Sequence, residues 1–99
     1  MRLHNYFVYV LTNKNKTVLY VGVTNDLVVR LHQHITGLTK GFTYKYNCHY
    51  LVCYERYDHI NDAIAREKEI KGWRREKKEQ LITSVNPQWR FLNDEIHKF

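Results

Sequence analysis

A small α+β domain, with a three-stranded, mainly antiparallel sheet flanked by helices, is the fold the 99-residue sequence predicts. Three observations point to it. Two runs rich in β-branched and aromatic residues near the N-terminus flank a polar turn. Two segments with apolar residues at helical spacing follow, separated by another strand-like run. The length suits one domain and hardly two, so residues 1–99 are expected to form a single unit.

The first hairpin comprises Tyr6-Phe7-Val8-Tyr9-Val10-Leu11 and Val18-Leu19-Tyr20-Val21-Gly22, joined through Thr12 to Thr17, a loop with turn-forming asparagines. If the hairpin is symmetric about Lys14-Asn15, Tyr9 lies opposite Tyr20, Leu11 opposite Val18 and Phe7 opposite Gly22. Direct cross-strand partners share a face, so two phenols stand side by side. Such a pair can simply pack a sheet. Gly22 weakens a strand interior unless something approaches its backbone closely.

A helix is expected next, capped by Thr24 or Asn25, with Asp26 in its positive first turn and its end near Gly37. Leu27, Leu31 and Ile35, with Val28 beside them, form its apolar stripe. Arg30 and His34 make a row along one flank. The segment 37–47 is expected as a loop, with Lys40 and Lys45 interleaved with Phe42, Tyr44 and Tyr46. Cations and stackable rings suit single-stranded or distorted nucleic acid; the same rings could instead fold back on the core.

Tyr50 to Tyr54 is expected as a third strand, with Tyr50, Val52 and Tyr54 on one face and Leu51 and Cys53 on the other. Asp58 or Asn61 then caps a helix running to about Lys71, with apolar positions Ile60, Ala63, Ile64 and Ile70. Glu67 falls inside that stripe. A buried carboxylate needs a partner. A salt bridge to Arg30 or a nearby lysine would supply one; so would a hard divalent ion, since Mg²⁺ often takes one carboxylate and completes its shell with water and phosphate oxygens. The charged run from Arg74 to Glu79 leads a third helix whose apolar edge is Leu81, Ile82 and Val85, and which Asn86-Pro87 ends. Trp89, Phe91 and Leu92 lie in a tail that can dock on the core.

A net charge of +6 favours a polyanionic partner, nucleic acid before membrane. No apolar run is long enough to span a bilayer and the N-terminus lacks a signal-peptide core, so a cytoplasmic location is expected. Cys48 and Cys53, on one extended strand, would be ~16 Å apart and face opposite ways, too far for the ~7 Å a disulfide tolerates. No CxxC or histidine cluster signals zinc.

Taken together, these residues resemble the GIY-YIG endonuclease family. The likeness is to its small stand-alone bacterial members, similar to the N-terminal nuclease domain of the bacterial repair excinuclease. Phe7-Val8-Tyr9 stands for the first motif and Tyr20-Val21-Gly22 for the second. Arg30 and His34 follow in Arg-Leu-His-Gln-His, Glu67 in Arg-Glu-Lys-Glu-Ile-Lys-Gly-Trp, and Asn86-Pro87 matches the late asparagine. The first glycine of the name motif is Phe7 here, a packing change at a position that does no chemistry. The resemblance implies phosphodiester hydrolysis in DNA with one Mg²⁺ or Mn²⁺, in DNA repair or processing and with low sequence specificity; branched, nicked or single-stranded DNA are all open as substrates. It implies catalytic roles for Tyr9 as general base, Tyr20, Arg30, His34 and the metal ligand Glu67. Gly22, Lys40, Lys45, Lys71 and Asn86 are expected on the nucleic-acid side. Two alternatives stand beside it: a nucleic-acid-binding module with little activity, and a scaffold whose basic surface meets a protein.

Overall fold

The computed structural model describes residues 5–37 and 41–98. Its centre is β1 (Tyr6–Thr12), which pairs antiparallel with β2 (Leu19–Thr24) on one side and β3 (Tyr50–Tyr57) on the other. The strand order is β2-β1-β3. Alternation along β1 divides its side chains between two cores. Phe7, Tyr9 and Leu11 face α1 (Leu27–Thr36) and the C-terminal tail. Val8 and Val10 face α3 (Ile60–Lys71) and α4 (Arg75–Val85). A strand buried on both faces is why β1 reads as a continuous apolar run.

The hairpin is not symmetric about Lys14-Asn15. Tyr9 lies opposite Gly22, Leu11 opposite Tyr20 and Phe7 opposite Thr24, a shift of two residues from the simple pairing. The loop decides this. The Asn13 carboxamide accepts from the backbone N–H of Thr17 (2.8 Å) and Val18 (3.1 Å). Thr12 Oγ1 donates to the Val18 carbonyl at 2.8 Å. Arg75 clamps the carbonyls of Lys16 and Thr17 from α4. Residues 17 and 18 are thereby kept out of the ladder. A shift of two preserves which face each side chain occupies, but it changes every partner.

Asp26, not Thr24 or Asn25, caps α1: its carboxylate accepts from Val29 N at 3.1 Å, while Thr24 Oγ1 accepts from Asp26 N. Gly37 ends the helix in the left-handed region, φ 73°. The buried stripe is Leu27, Leu31 and His34, whereas Ile35 is 49% exposed and Val28 39%. At 3.6 residues per turn, a seven-residue step returns to within about 20° of its start and an eight-residue step overshoots by about 80°. His34 therefore inherits the core position assigned to Ile35. Part of the expected loop is a short helix, α2 (Phe42–Lys45), with Thr43 buried. Lys40 lies outside the described residues.

β3 runs to Tyr57, beyond the expected Tyr54, and contains a bulge. Val10 pairs with Cys53 and Leu11 with Leu51, leaving Val52 unopposed. Val52 and Cys53 consequently both enter the α3 side, and Leu51 and Tyr54 the α1 side, rather than alternating strictly. His59 occupies the cap position of α3, because the Asp58 carboxylate is taken by Arg56 at 2.6 Å. Ala63 and Ile70 are buried, but Ile60 is exposed. Arg66 pins the helix to the sheet by a two-armed bond to Glu55, 2.9 and 3.1 Å. In α4 only Ile82 is buried, and Val85 is exposed.

The tail docks through Leu92 and Ile96, while Phe91 stacks on Tyr50 at the surface. Asn86 organises its start. The carboxamide nitrogen donates to the carbonyls of Val52 (3.0 Å) and Arg90 (2.8 Å), and its oxygen accepts from Arg90 N. Leu92 N then donates to Leu51 O at 2.7 Å, and Asn93 bridges Leu51 N and His49 O. The free edge of β3 is covered this way, which removes a site for unwanted strand pairing. Cys48 and Cys53 are free, buried and in opposite cores.

Candidate active site

Gly22 makes the site possible. A Cβ at this position would sit 2.5 Å from Tyr9 Cζ and closer still to the hydroxyl oxygen. The Tyr9 ring lies where any other side chain of β2 would stand. Its hydroxyl accepts from Arg30 Nε at 3.4 Å and meets His34 Nε2 at 3.0 Å. His34 Nδ1 in turn meets Thr43 Oγ1 at 2.7 Å. Four residues from β1, α1 and α2 thus form one hydrogen-bonded chain. Arg30 and His34 reach it together because they are one helical turn apart.

Tyr20 closes the group. Its ring centroid is 6.3 Å from that of Tyr9 and 5.6 Å from that of His34. The two-residue shift makes this a diagonal contact rather than a direct pair, within reach of aromatic rings. The phenols differ in access. Tyr9 is 1% exposed, whereas Tyr20 is half-buried. Tyr9 is therefore sealed from solvent, and Tyr20 is the more exposed of the two phenols. Phe42 stacks on Tyr20 at 5.9 Å, and Tyr46 lies 4.6 Å from Phe42 with the Lys45 ammonium over its ring. Phe42, Tyr44 and Tyr46 are all exposed, so they do not fold back to cover the core.

Burial governs the titration of the cluster. It pushes the Tyr9 phenol up to about 12, against the lowering effect of the Arg30 bond; the charges of Tyr20 and Glu67 add to the rise. Burial also lowers His34 to about 4, helped by the positive charge of Arg30 and by His49. Arg30 is held charged, chiefly by its bond to Tyr9. The resting site is a neutral phenol and a neutral imidazole beside one guanidinium. His34 then has a measurable signature in stability. Its native pKa lies below the unfolded value of ~6.5, so the unfolded chain binds a proton that the native state refuses. Stability is retained above pH ~6.5 and falls as pH drops towards 4, by about 2 kcal/mol from this group at pH 5. Urea unfolding midpoints at pH 7 and 5 should show this slope in the wild type and lose most of it in His34→Gln.

Glu67 stands on α3, and its charge adds the smallest of the effects that shift the Tyr9 phenol. Its side chain is 14% exposed, and Lys71 lies at 3.3 Å. An i,i+4 pair with a half-exposed lysine contributes only a few tenths of a kcal/mol, ~0.3–0.5, so Glu67 can exchange it for a stronger cation. No group of three His, Cys, Asp or Glu that could hold a metal occurs among the described residues. One carboxylate fits Mg²⁺ or Mn²⁺, which keep water ligands and take phosphate oxygens, and does not fit a zinc site. Arg30 also lines an open cleft of about 430 Å³ with Tyr6, Asn25, Gln33 and Ile60. Gln33 accepts from Arg30 Nη1 at 3.1 Å and steadies the guanidinium.

Of the sequence-predicted residues, Tyr9, Tyr20, Arg30 and His34 meet directly, with Glu67 within electrostatic reach. Lys45 is on the exposed aromatic face and Lys71 is half-exposed beside Glu67. Asn86 is 5% exposed, and its hydrogen bonds go to Val52 and Arg90 rather than outward. Thr43 and Gln33 were not anticipated. A threonine between aromatic residues carries no local mark of pairing with a histidine nine residues earlier. Gln33 was legible only as a turn-neighbour of Arg30.

The fold and the cluster at its β1–β2 face define a class. The GIY-YIG catalytic domain matches residues 5–80, and the chain belongs to the GIY-YIG family, a family of nucleases. Within it, the relatives are small proteins called UPF0213. One from Haloquadratum walsbyi is 36% identical over 84 residues, covering 82% of this chain and 93% of that one. Another, from Natronomonas pharaonis, is 37% identical over 78 residues, covering 79% and 91%. The solution NMR structure of a UPF0213 protein from Bacillus halodurans superposes with a TM-score of 0.57 at 29% identity, covering 86% of this chain and 89% of that one. That neighbour shares the three-stranded antiparallel sheet with flanking helices. No helix among the described residues is long and apolar enough to cross a membrane.

Proposed function

We propose that this chain is a divalent-metal-dependent endonuclease that hydrolyses phosphodiester bonds in DNA with low sequence specificity, in DNA repair or processing. The observation that carries the proposal is the hydrogen-bonded meeting of Arg30 with buried Tyr9 and His34, with the more exposed Tyr20 packed against them and the Glu67 charge adding a small effect on Tyr9. A protein that only bound nucleic acid, or a basic scaffold, would gain nothing from a half-buried carboxylate and a buried phenol in this arrangement. Glu67 would hold Mg²⁺ or Mn²⁺, which when bound supplies Lewis-acid polarisation of the phosphate.

The chain's own groups supply the rest. Arg30 donates to a non-bridging phosphate oxygen and balances the charge that builds there during in-line attack. Tyr20, the more exposed phenol, orients the attacking water by hydrogen bonding and, as the phenolate, takes its proton, while solvent water protonates the leaving oxygen. Tyr9 and His34 act from behind: they hold Arg30 in place and keep the interior face of the site free of charge. Lys45 and Lys71, with Phe42, Tyr44 and Tyr46, give the surrounding surface cations for phosphates and rings for bases. Gly22 and Asn86 contribute through the fold, one by admitting the Tyr9 ring and the other by tying the tail to β3.

The test is nicking of supercoiled, branched and single-stranded DNA with Mg²⁺ or Mn²⁺ by the full chain. Tyr20→Phe should retain DNA binding and lose about 10²–10⁴-fold in rate. Absence of metal-dependent cleavage on every substrate, with binding intact, would favour the binding-module alternative. Full activity in Tyr20→Phe would overturn the role given to that phenol.

A further inference from the structure

The buried chain Arg30–Tyr9–His34–Thr43 has a direction, and its far end is outside every motif that marks the site. A guanidinium can only donate, so the Tyr9 oxygen receives the Arg30 Nε–H. The Tyr9 hydrogen is then free to point along its second bond, towards His34 Nε2 at 3.0 Å. A neutral imidazole carries one N–H. If Nε2 accepts from Tyr9, the hydrogen sits on Nδ1 and points at Thr43 Oγ1, 2.7 Å away. Thr43 is 3% exposed and His34 1%, so water is poorly placed to substitute for either partner. Thr43 is itself held by backbone bonds. Cys48 N donates to Thr43 O at 2.9 Å, and Lys45 N and Tyr46 N close the turn of α2 on Gly41 and Phe42.

We propose that Thr43 is a positioning residue that fixes His34 as the Nδ1–H tautomer, so that Nε2 faces Tyr9 as an acceptor and holds the phenol with its oxygen turned to Arg30. A threonine hydroxyl can donate or accept; because Arg30 donates to the Tyr9 oxygen and the Tyr9 hydrogen turns to Nε2, Thr43 is the group left to accept from Nδ1–H. Its physical consequence is orientation of the guanidinium that faces the substrate; its catalytic consequence rests on the nuclease reading above. With valine at 43, the Nδ1–H loses its acceptor. The alternative tautomer, in which Nε2–H donates to Tyr9, then competes, and Tyr9 no longer directs its hydrogen away from the opening. Serine keeps the acceptor.

The experiment is ¹⁵N NMR of the histidine rings in the full chain, at a pH where His34 is neutral. The wild type and Thr43→Ser should show His34 with the proton on Nδ1. Thr43→Val should show the Nε2–H form or a mixture. Nicking by Thr43→Val should fall about tenfold in kcat, with KM nearly unchanged and Thr43→Ser restoring the rate. A wild-type Nε2–H tautomer, or an Nδ1–H tautomer untouched in a folded Thr43→Val protein, would overturn the proposal. If Thr43→Val does not fold, the wild-type tautomer and its retention in Thr43→Ser still decide the matter. Absence of cleavage by the wild type would count against the nuclease reading alone, because the ring spectrum is read without substrate.

Discussion

Glu67→Gln is expected to abolish metal-dependent cleavage, by about 10³-fold or more, while leaving the fold intact. Loss of the charge that holds a divalent ion removes several kcal/mol of transition-state stabilisation, and each ~1.4 kcal/mol is a factor of ten. Glutamine keeps the size of the side chain, so packing on α3 is unchanged. The ion pair it removes is the one to half-exposed Lys71, whose loss contributes under ~1 kcal/mol. The thermal midpoint should therefore stay within a few degrees of the wild type. Because Glu67 adds to the rise in the Tyr9 pKa, that phenol should titrate slightly lower in the variant. Cleavage at wild-type rate by a folded Glu67→Gln protein would rule out the metal role assigned to this residue.

Gly22→Ala is expected to damage both stability and catalysis through one added methyl group. The position opposite Tyr9 has no room: the new carbon would overlap the phenol. Tyr9 cannot yield easily, because its hydroxyl is bonded to Arg30 and His34 and its ring abuts that of Tyr20. Overpacking of this kind costs about 1–3 kcal/mol. Any movement that relieves it displaces the phenol from Arg30, so cleavage should fall at least ~10²-fold, since small misplacements of catalytic groups carry that penalty. A control separates crowding from backbone effects: Gly22→Ala combined with Tyr9→Ala should recover part of the lost stability, because the overlapping ring is gone, while remaining inactive. Additive losses in the double variant would show that crowding against Tyr9 is not the cause.

Much of this site was legible locally. Tyr20, Arg30, His34 and Glu67 sit at spacings that belong to a strand or to a helix face, and those spacings survive folding. Gly22 was legible as a point of close approach, though not what approaches it. Glu67 stood out as a carboxylate within an apolar stripe, and it is indeed half-buried beside one lysine. What failed locally failed for identifiable reasons. The hairpin register depended on Asn13 and on Arg75, a residue from α4 nearly 60 positions away in the chain. The β3 faces depended on a bulge that no alternation rule anticipates. Ile35 and His34 exchanged places because 3.6-residue geometry favours a seven-residue step over an eight-residue one.

By itself the sequence determined the kinds of elements, the family, the side of the sheet each motif residue occupies and the surplus of positive charge. The elements and the charge follow from periodicity and composition, and the family from the resemblance its motifs carry in order; none of these needs distant contacts. The tertiary structure alone decided which tyrosine is sealed and which is more exposed, that Thr43 completes the His34 pair, and that Asn86 and Asn93 bring the tail over the free edge of β3. Each of these is a matter of burial or of long-range hydrogen bonding. Both exist only once segments remote in the chain have excluded water from the space between them.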